Sequence, residues 1–261
     1  MKIAQISDLH LAATGKTIGL APMAENLTRV VAHINSLSPD LVIVSGDITH
    51  EAQDEEARRA ASLLGALDAP FYLTPGNHDD RDVLWKVFGG GAVPAREATH
   101  LSYVVNTPAY KIIALDSTDP DAANGRICAM RAAWLASALR TTPRPTLVFM
   151  HHPPIKFSIE ETDAPALIGA ERLAGIVSEH PEIERIMCGH IHLLAQGVFQ
   201  GIHVCAAPSI GMRLHWTPDY LTRSRFMNAP PAYLWHMLNE DQALITHEFR
   251  LDDSEGPFEF D

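Results

Sequence analysis

Cysteine is scarce in this 261-residue chain. Its three copies, Cys128, Cys188 and Cys205, are odd in number, widely spaced and set among apolar residues, which excludes a disulfide framework and favours a reducing cytoplasm. Long hydrophobic runs are missing as well. No stretch approaches membrane-spanning length, and the opening "MKIAQISDLH" reaches Asp8 after too few apolar residues to read as a signal peptide. Positive charge is in deficit, with 20 Lys and Arg against 32 Asp and Glu, and the basic residues form no cluster. That balance argues against a nucleic-acid polymer or an anionic membrane surface as partner. An anionic small molecule would need positive charge from elsewhere, and a bound metal is one source. Repeats, low-complexity segments and Gly/Ser linkers are also absent, so residues 1–261 read as one domain.

What is present is an alternation. "KIAQI" at 2–6, "DLVIVS" at 40–45 and "PFYLT" at 70–74 have the length and content of strands. Between them Met23, Leu27, Val30, Val31, Ile34 and Leu37, then Ala57, Ala60, Ala61, Leu64 and Leu67, fall on single helical faces. "DRDVLWKVF" suits a short helix. "HLSYVVN" and "YKIIALD" follow as a hairpin-like pair. Helices over about 128–141 and 166–179 precede or separate "PTLVFM" and "IERIMC", and the tail from 196 reads mostly as strands. Such an order predicts sheets covered on the outside by helices. Residues 196–261 are expected to complete the second sheet. The irregular, Pro- and Arg-rich segment 207–231 suits a lid or substrate-binding loop, or equally an oligomer contact. The acidic run "DEEARR" at 54–59 reads as a solvated helix face.

Nearly every apolar run ends in polar, metal-competent residues. "IAQIS" leads to Asp8 and His10, "LVIVS" to Gly46 and Asp47, and "FYLTP" to Gly76, Asn77, His78 and Asp79. "LVFM" leads to His151 and His152, and "IMC" to Gly189, His190 and His192. Carboxyl ends of strands in open α/β sheets converge on one crevice, so these groups can meet in space. Asp, Asn and His suit zinc, manganese, iron or cobalt. Singly each pattern has a plainer explanation: Asn77 as a turn residue, Asp8 and His10 as a surface pair, the histidine pair as a loop braced by Pro153. Jointly they are hard to explain by packing, which has no use for carboxylates there. Residues two apart on extended backbone share a side, so His190 and His192 are expected to address the crevice together, as are Asp8 and His10. The glycines are expected to let the backbone turn or approach an ion.

These five segments, in this order over about residues 1–195, resemble the motif set of the calcineurin-like metallophosphoesterases. "GNHDD", "MHHPP" and "GHIH" are most similar to the bacterial branch with class III cyclic nucleotide phosphodiesterases and glycerophosphodiesterases. The protein-phosphatase branch carries Gly-Asp-x-x-Asp-Arg-Gly where this chain has "GDITHEA", which argues against that activity. The resemblance implies a four-layer α/β/β/α sandwich with two mixed central sheets and two divalent ions, Fe, Mn, Zn or Co. It implies one ion on Asp8, His10, Asp47 and His192 and the other on Asp47, Asn77, His151 and His190, with Asp47 shared. His78 would be a catalytic or substrate-facing residue, not a ligand, with Asn77 and His192 also near substrate. His152 would orient a ligand.

The expected reaction is hydrolysis of a small phosphodiester, of the cyclic nucleotide or glycerophosphodiester type, by in-line attack of a metal-activated hydroxide. His78 would stabilise charge or protonate the leaving oxygen. A phosphomonoesterase or nucleotide phosphatase on the same metals is the alternative, and a non-catalytic interaction module of this fold is a further one. The resemblance also implies a homo-oligomer, with "AYLWHML" at 232–238 as a candidate contact. Arg81, Arg126, Arg213 and His215 are candidate substrate contacts, each with a surface role as the equal alternative.

Overall fold

A computed structural model describes residues 1–16, 21–141, 144–163, 166–217, 225–252, 254–255 and 258–259. The first half winds β1 (Lys2–Ile6), α1 (Met23–Leu37), β2 (Leu41–Val44), α2 (Asp54–Leu64), β3 (Phe71–Leu73) and α3 (Arg81–Phe88). The strands run parallel in the order β1-β2-β3. β2 is wholly buried, as its unbroken LVIV run requires of a strand covered on both faces. The middle of the chain holds β4 (Tyr103–Asn106), β5 (Lys111–Ala114), α4 (Ala129–Arg140), β6 (Thr146–Phe149), α5 (Glu160–Asp163), α6 (Ala170–Val177) and β7 (Ile183–Cys188). The tail adds β8 (Ala195–Phe199), β9 (Ile202–Ala206), β10 (Met212–Leu214), β11 (Phe226–Asn228), β12 (Ala232–Leu238) and β13 (Leu244–Arg250).

Two mixed sheets result, ordered β13-β12-β1-β2-β3 and β4-β5-β6-β7-β9-β8, with β10 and β11 as a separate ribbon. The pleat of the second sheet sorts its side chains. Ile112, Ala114, Leu147, Phe149 and Met187 join the core shared with the first sheet and helices α1 to α3. Their neighbours Ile113, Val148, Ile186 and Cys188 pack instead with Leu135 and Leu139 of α4 and Leu173 and Val177 of α6. That alternation makes the four layers predicted above. Residues 196–261 divide between the sheets: β8 and β9 complete the second, whereas β12 and β13 extend the first, antiparallel beside β1. "AYLWHML" is therefore interior, buried over 232–236 between β1 and β13, and is no contact surface.

A buried polar bridge ties the two sheets together. Gln5 of β1 donates through Nε2 to Ser45 Oγ at 2.9 Å and to the Cys188 carbonyl of β7 at 2.8 Å. Its Oε1 lies 2.9 Å from His236 Nε2, and His236 Nδ1 lies 2.8 Å from Thr246 Oγ1. With Gln5 accepting, Nε2 carries the proton and Nδ1 accepts from the threonine. Ser45 and Cys188 immediately precede Gly46-Asp47 and Gly189-His190, so the bridge lies directly beneath the strand ends. Among the described residues no helix is long and apolar enough to cross a membrane.

Candidate metal centre

Asp8, His10, Asp47, His190 and His192 all adopt left-handed backbone, with φ of 53°, 40°, 51°, 73° and 55°. Non-glycine residues rarely hold this conformation, and each such placement costs on the order of 1–3 kcal/mol. The expectation of extended backbone at Asp8–His10 and His190–His192 is thus corrected: successive tight turns, not strand alternation, bring these pairs inward. Hydrogen bonds between the loops after β1 and β2 hold the first pair there, from Asp8 N to Gly46 O at 3.0 Å and from His10 N to Asp47 O at 2.9 Å, and His190 N donates to Asp8 Oδ1 at 3.1 Å. The glycines serve the side chains around them. A Cβ on Gly46 would overlap the His151 ring, and one on Gly76 would overlap Asp47.

The donor atoms fall into two groups that share one carboxylate. In the first, His10 Nε2 lies 3.1 Å from His192 Nε2 and 3.4 Å from Asp47 Oδ2, and His192 Nε2 lies 3.4 Å from Asp8 Oδ1. In the second, His151 Nε2 lies 3.4 Å from that same Asp47 Oδ2 and 3.2 Å from Asn77 Oδ1, which is 3.0 Å from His190 Nδ1. The outer nitrogens reveal what these contacts are. His151 Nδ1 donates to the Ser45 carbonyl at 2.8 Å and His192 Nδ1 to the Met212 carbonyl at 2.6 Å. In the neutral imidazoles both Nε2 atoms then present lone pairs to other acceptors. Lone pairs converging at about 3 Å repel unless a cation lies between them, so the chemistry of the donor set fits a divalent metal.

The electrostatics agree. Burial pushes the Asp8 carboxyl up, while Asp47, although buried, is held well below the usual range by His151, His10 and His78. Burial would depress His151, but the Asp47 and Asp8 charges raise it to about 9: the pocket demands positive charge at Nε2, which a divalent ion would supply in place of the proton. Burial and neighbouring imidazoles lower His10, and lower His190 to about 3, leaving both as neutral bases suited to ligation. Asp79, raised to about 6 by burial and the Asp47 charge, fastens the loops: it accepts from Ile48 N, Thr49 N and Gly76 N at 2.8–3.1 Å.

His78 packs its ring 4.6 Å from that of His10, and its ring nitrogen lies within 4.8 Å of nitrogens of His10 and His50, a third cluster at the rim of the two groups. Its backbone nitrogen donates to Asp47 Oδ1 at 2.9 Å and its Nδ1 to the His50 carbonyl at 2.8 Å. His152 donates from Nε2 to Ala123 O at 2.9 Å, lies 2.9 Å from Ser117 Oγ through Nδ1, and packs its ring 4.7 Å from that of His190. Both its nitrogens are engaged, so it walls the site. Arg81 is taken up by Asp116 and the Thr118 carbonyl, and Arg126 by Asp119. Arg213 and His215 are exposed on and after β10. Sequence reasoning missed His50, half-buried between His10 and His78; its only signal was its position three residues after Asp47. Within the largely solvated run 54–59 it missed one residue, Glu56, which is buried and whose carboxylate accepts from the backbone of His50, Glu51 and Gln53. Within 207–231, residues 218–224 lie outside the described residues; before them, Trp216 donates to the Ser158 carbonyl at 3.0 Å.

The family model for calcineurin-like phosphoesterases matches residues 1–194, the span that supplies all these donors. The chain belongs to that family. It is therefore a phosphoesterase by descent, and its relatives narrow the chemistry further. A probable glycerophosphodiester phosphodiesterase of Arcobacter nitrofigilis is 34% identical, with 100% of this chain and 97% of the relative covered. A probable cyclic nucleotide phosphodiesterase of Rhodopseudomonas palustris is 35% identical over 77% of this chain and 75% of its own length. Among solved structures, a dimetal phosphatase from Danio rerio matches with TM-score 0.65 at 14% identity, covering 92% of this chain and 93% of its own. The anchor protein GAP50 of Plasmodium matches with TM-score 0.61 at 12% identity, covering 98% and 90%. A fold found in both a phosphatase and an anchor does not decide activity, so the donor set must.

Proposed function

We propose that this protein is a dinuclear metal-dependent phosphodiesterase acting on small phosphodiesters, of the glycerophosphodiester or cyclic nucleotide type. The observation that carries the reading is Asp47 Oδ2, which lies 3.4 Å from an imidazole nitrogen of each donor group and so serves both. Asp8, His10, Asp47 and His192 would hold one divalent ion and Asp47, Asn77, His151 and His190 the other, drawn from Fe, Mn, Zn and Co. Two such ions supply Lewis acidity and a water acidic enough to ionise near neutral pH.

The protein's own groups do the rest. Because His78 gives its Nδ1 proton to the His50 carbonyl, Nε2 is the nitrogen left to face substrate. In its protonated form that nitrogen passes a proton to the departing alcohol oxygen as the P–O bond breaks and water oxygen bonds to phosphorus. Asn77 faces the donors through Oδ1, leaving its Nδ2 protons for a phosphoryl oxygen. His192, with 17% of its side chain exposed, is open to a substrate's approach. The names of the two relatives support a diester over a monoester.

The three cysteines are free, in keeping with a cytoplasmic setting. We further propose a homo-oligomer; exposed Trp216, Phe226 and Met227 on and beside the β10–β11 ribbon support a contact there. The deciding experiment is hydrolysis of a bis-aryl and a mono-aryl phosphate by manganese-loaded protein. Faster cleavage of the diester is expected, the reverse preference would make the protein a monoesterase, and cleavage of neither would favour an interaction module.

A further inference from the structure

An imidazole that ligates through one nitrogen carries its proton on the other, and a partner for that proton fixes both tautomer and aim. For His151 and His192 the partners are the Ser45 and Met212 carbonyls. His10 differs. Its Nε2 faces His192 and Asp47, while its Nδ1 faces not a carbonyl but Nδ1 of His50, at 3.4 Å. If His10 is to ligate through Nε2, the proton sits on its Nδ1 and His50 must receive it with a lone pair. The same His50 ring lies stacked on His78, with centroids 5.4 Å apart and planes within 11°. Its carbonyl accepts the His78 Nδ1 proton. The segment that carries it is pinned by the buried Glu56 carboxylate, 3.2 Å from His50 N and 2.8 Å from Glu51 N.

We infer that His50 is a positioning residue that sets the tautomer and aim of His10 in the first donor group while holding His78 upright beside it. The inference rests on the dinuclear reading above. It makes a prediction particular to one ion: loss of the acceptor should weaken the group containing His10 and spare the group containing His151 and His190.

The test is calorimetric titration of Mn2+ into metal-free wild type, His50→Phe and His50→Gln. Phenylalanine keeps a ring against His78 but accepts no proton; glutamine restores a carbonyl acceptor. Wild type should bind two ions. His50→Phe should weaken one step by about 10- to 100-fold, the effect typical of a lost partner to a ligating histidine, and leave the other unchanged. His50→Gln should recover most of the loss, and all three metal-free proteins should melt together. Two steps of wild-type affinity in His50→Phe would overturn the inference. So would equal weakening of both steps with a lower metal-free melting point, or a glutamine variant as weak as phenylalanine. Wild type that binds fewer than two ions would instead refute the dinuclear reading itself.

Discussion

Replacing Gly76 with alanine perturbs the centre through space alone. The added methyl would lie 2.8 Å from Asp47 Cγ and closer still to Oδ1 and the Asp47 backbone nitrogen. Gly76 itself is outside the left-handed region, so alanine brings no backbone strain of its own. Since non-bonded carbons rest about 3.5–4 Å apart, the carboxylate must retreat by roughly 1 Å, and the Asp47 backbone, met at its nitrogen, must shift with it. Asp47 Oδ1 accepts from His78 N, so the Asn77–His78 turn moves with it. A displacement of about 1 Å at a reacting group costs on the order of 100-fold in rate, or about 2.7 kcal/mol. The expected phenotype is a folded protein whose kcat/KM on a bis-nitrophenyl phosphate falls by about that factor, with weakened binding of both metals. The matched control is Gly175→Ala in α6, where nothing lies within 4 Å of the new methyl. It should turn over like wild type and gain up to about 1 kcal/mol from helix propensity. Equal activity of the two variants would refute the argument that Gly76 is required to make room for the shared carboxylate.

Two further outcomes are expected. Chelation should lower the melting temperature by roughly 10–20 °C, since each ion at about 100 times its Kd contributes about 2.7 kcal/mol and one kcal/mol is worth about 2–4 °C in a chain near this size; an unchanged melting point would deny the ions a structural hold. His236, lowered to about 3 by burial and by the charge of Arg185, stays neutral in the fold while the unfolded chain takes up a proton near pH 6.5. Its stabilisation is therefore complete above pH 6.5 and declines as pH falls towards 3, by about 2 kcal/mol between pH 7.5 and 5.0. In urea titrations of metal-free protein, His236→Gln should lack that increment of the decline, and parallel losses in the two proteins would contradict the assignment.

The layered fold and the candidate donors were legible because both are written in short-range pattern. Five apolar runs announced strands, and what followed each of the five announced a group at that strand's carboxyl end. What stayed hidden depended on long-range geometry. "AYLWHML" reads as an apolar strand whichever sheet receives it, and only pairing with β1 assigns it to the first. His50 looked like one more loop histidine because its importance comes from a turn that lays it over His10 and His78. Glu56 looked solvated because the surrounding charges are, yet three backbone N–H groups to its N-terminal side draw it inward. The left-handed turns at His190 and His192 likewise had no sequence cue, since histidine has no preference strong enough to reveal them.

Neither donor group is drawn from one sheet. Asp8, His10, Asp47 and Asn77 follow strands of the first, His151, His190 and His192 follow strands of the second, and each group takes members from both. Ions seated there would act as rivets through two plates: sliding one sheet past the other would have to shear metal–ligand bonds first. The loaded enzyme should therefore be stiffest along its reactive rim, and amide exchange at the ends of β2 and β7 should quicken together once the rivets are drawn.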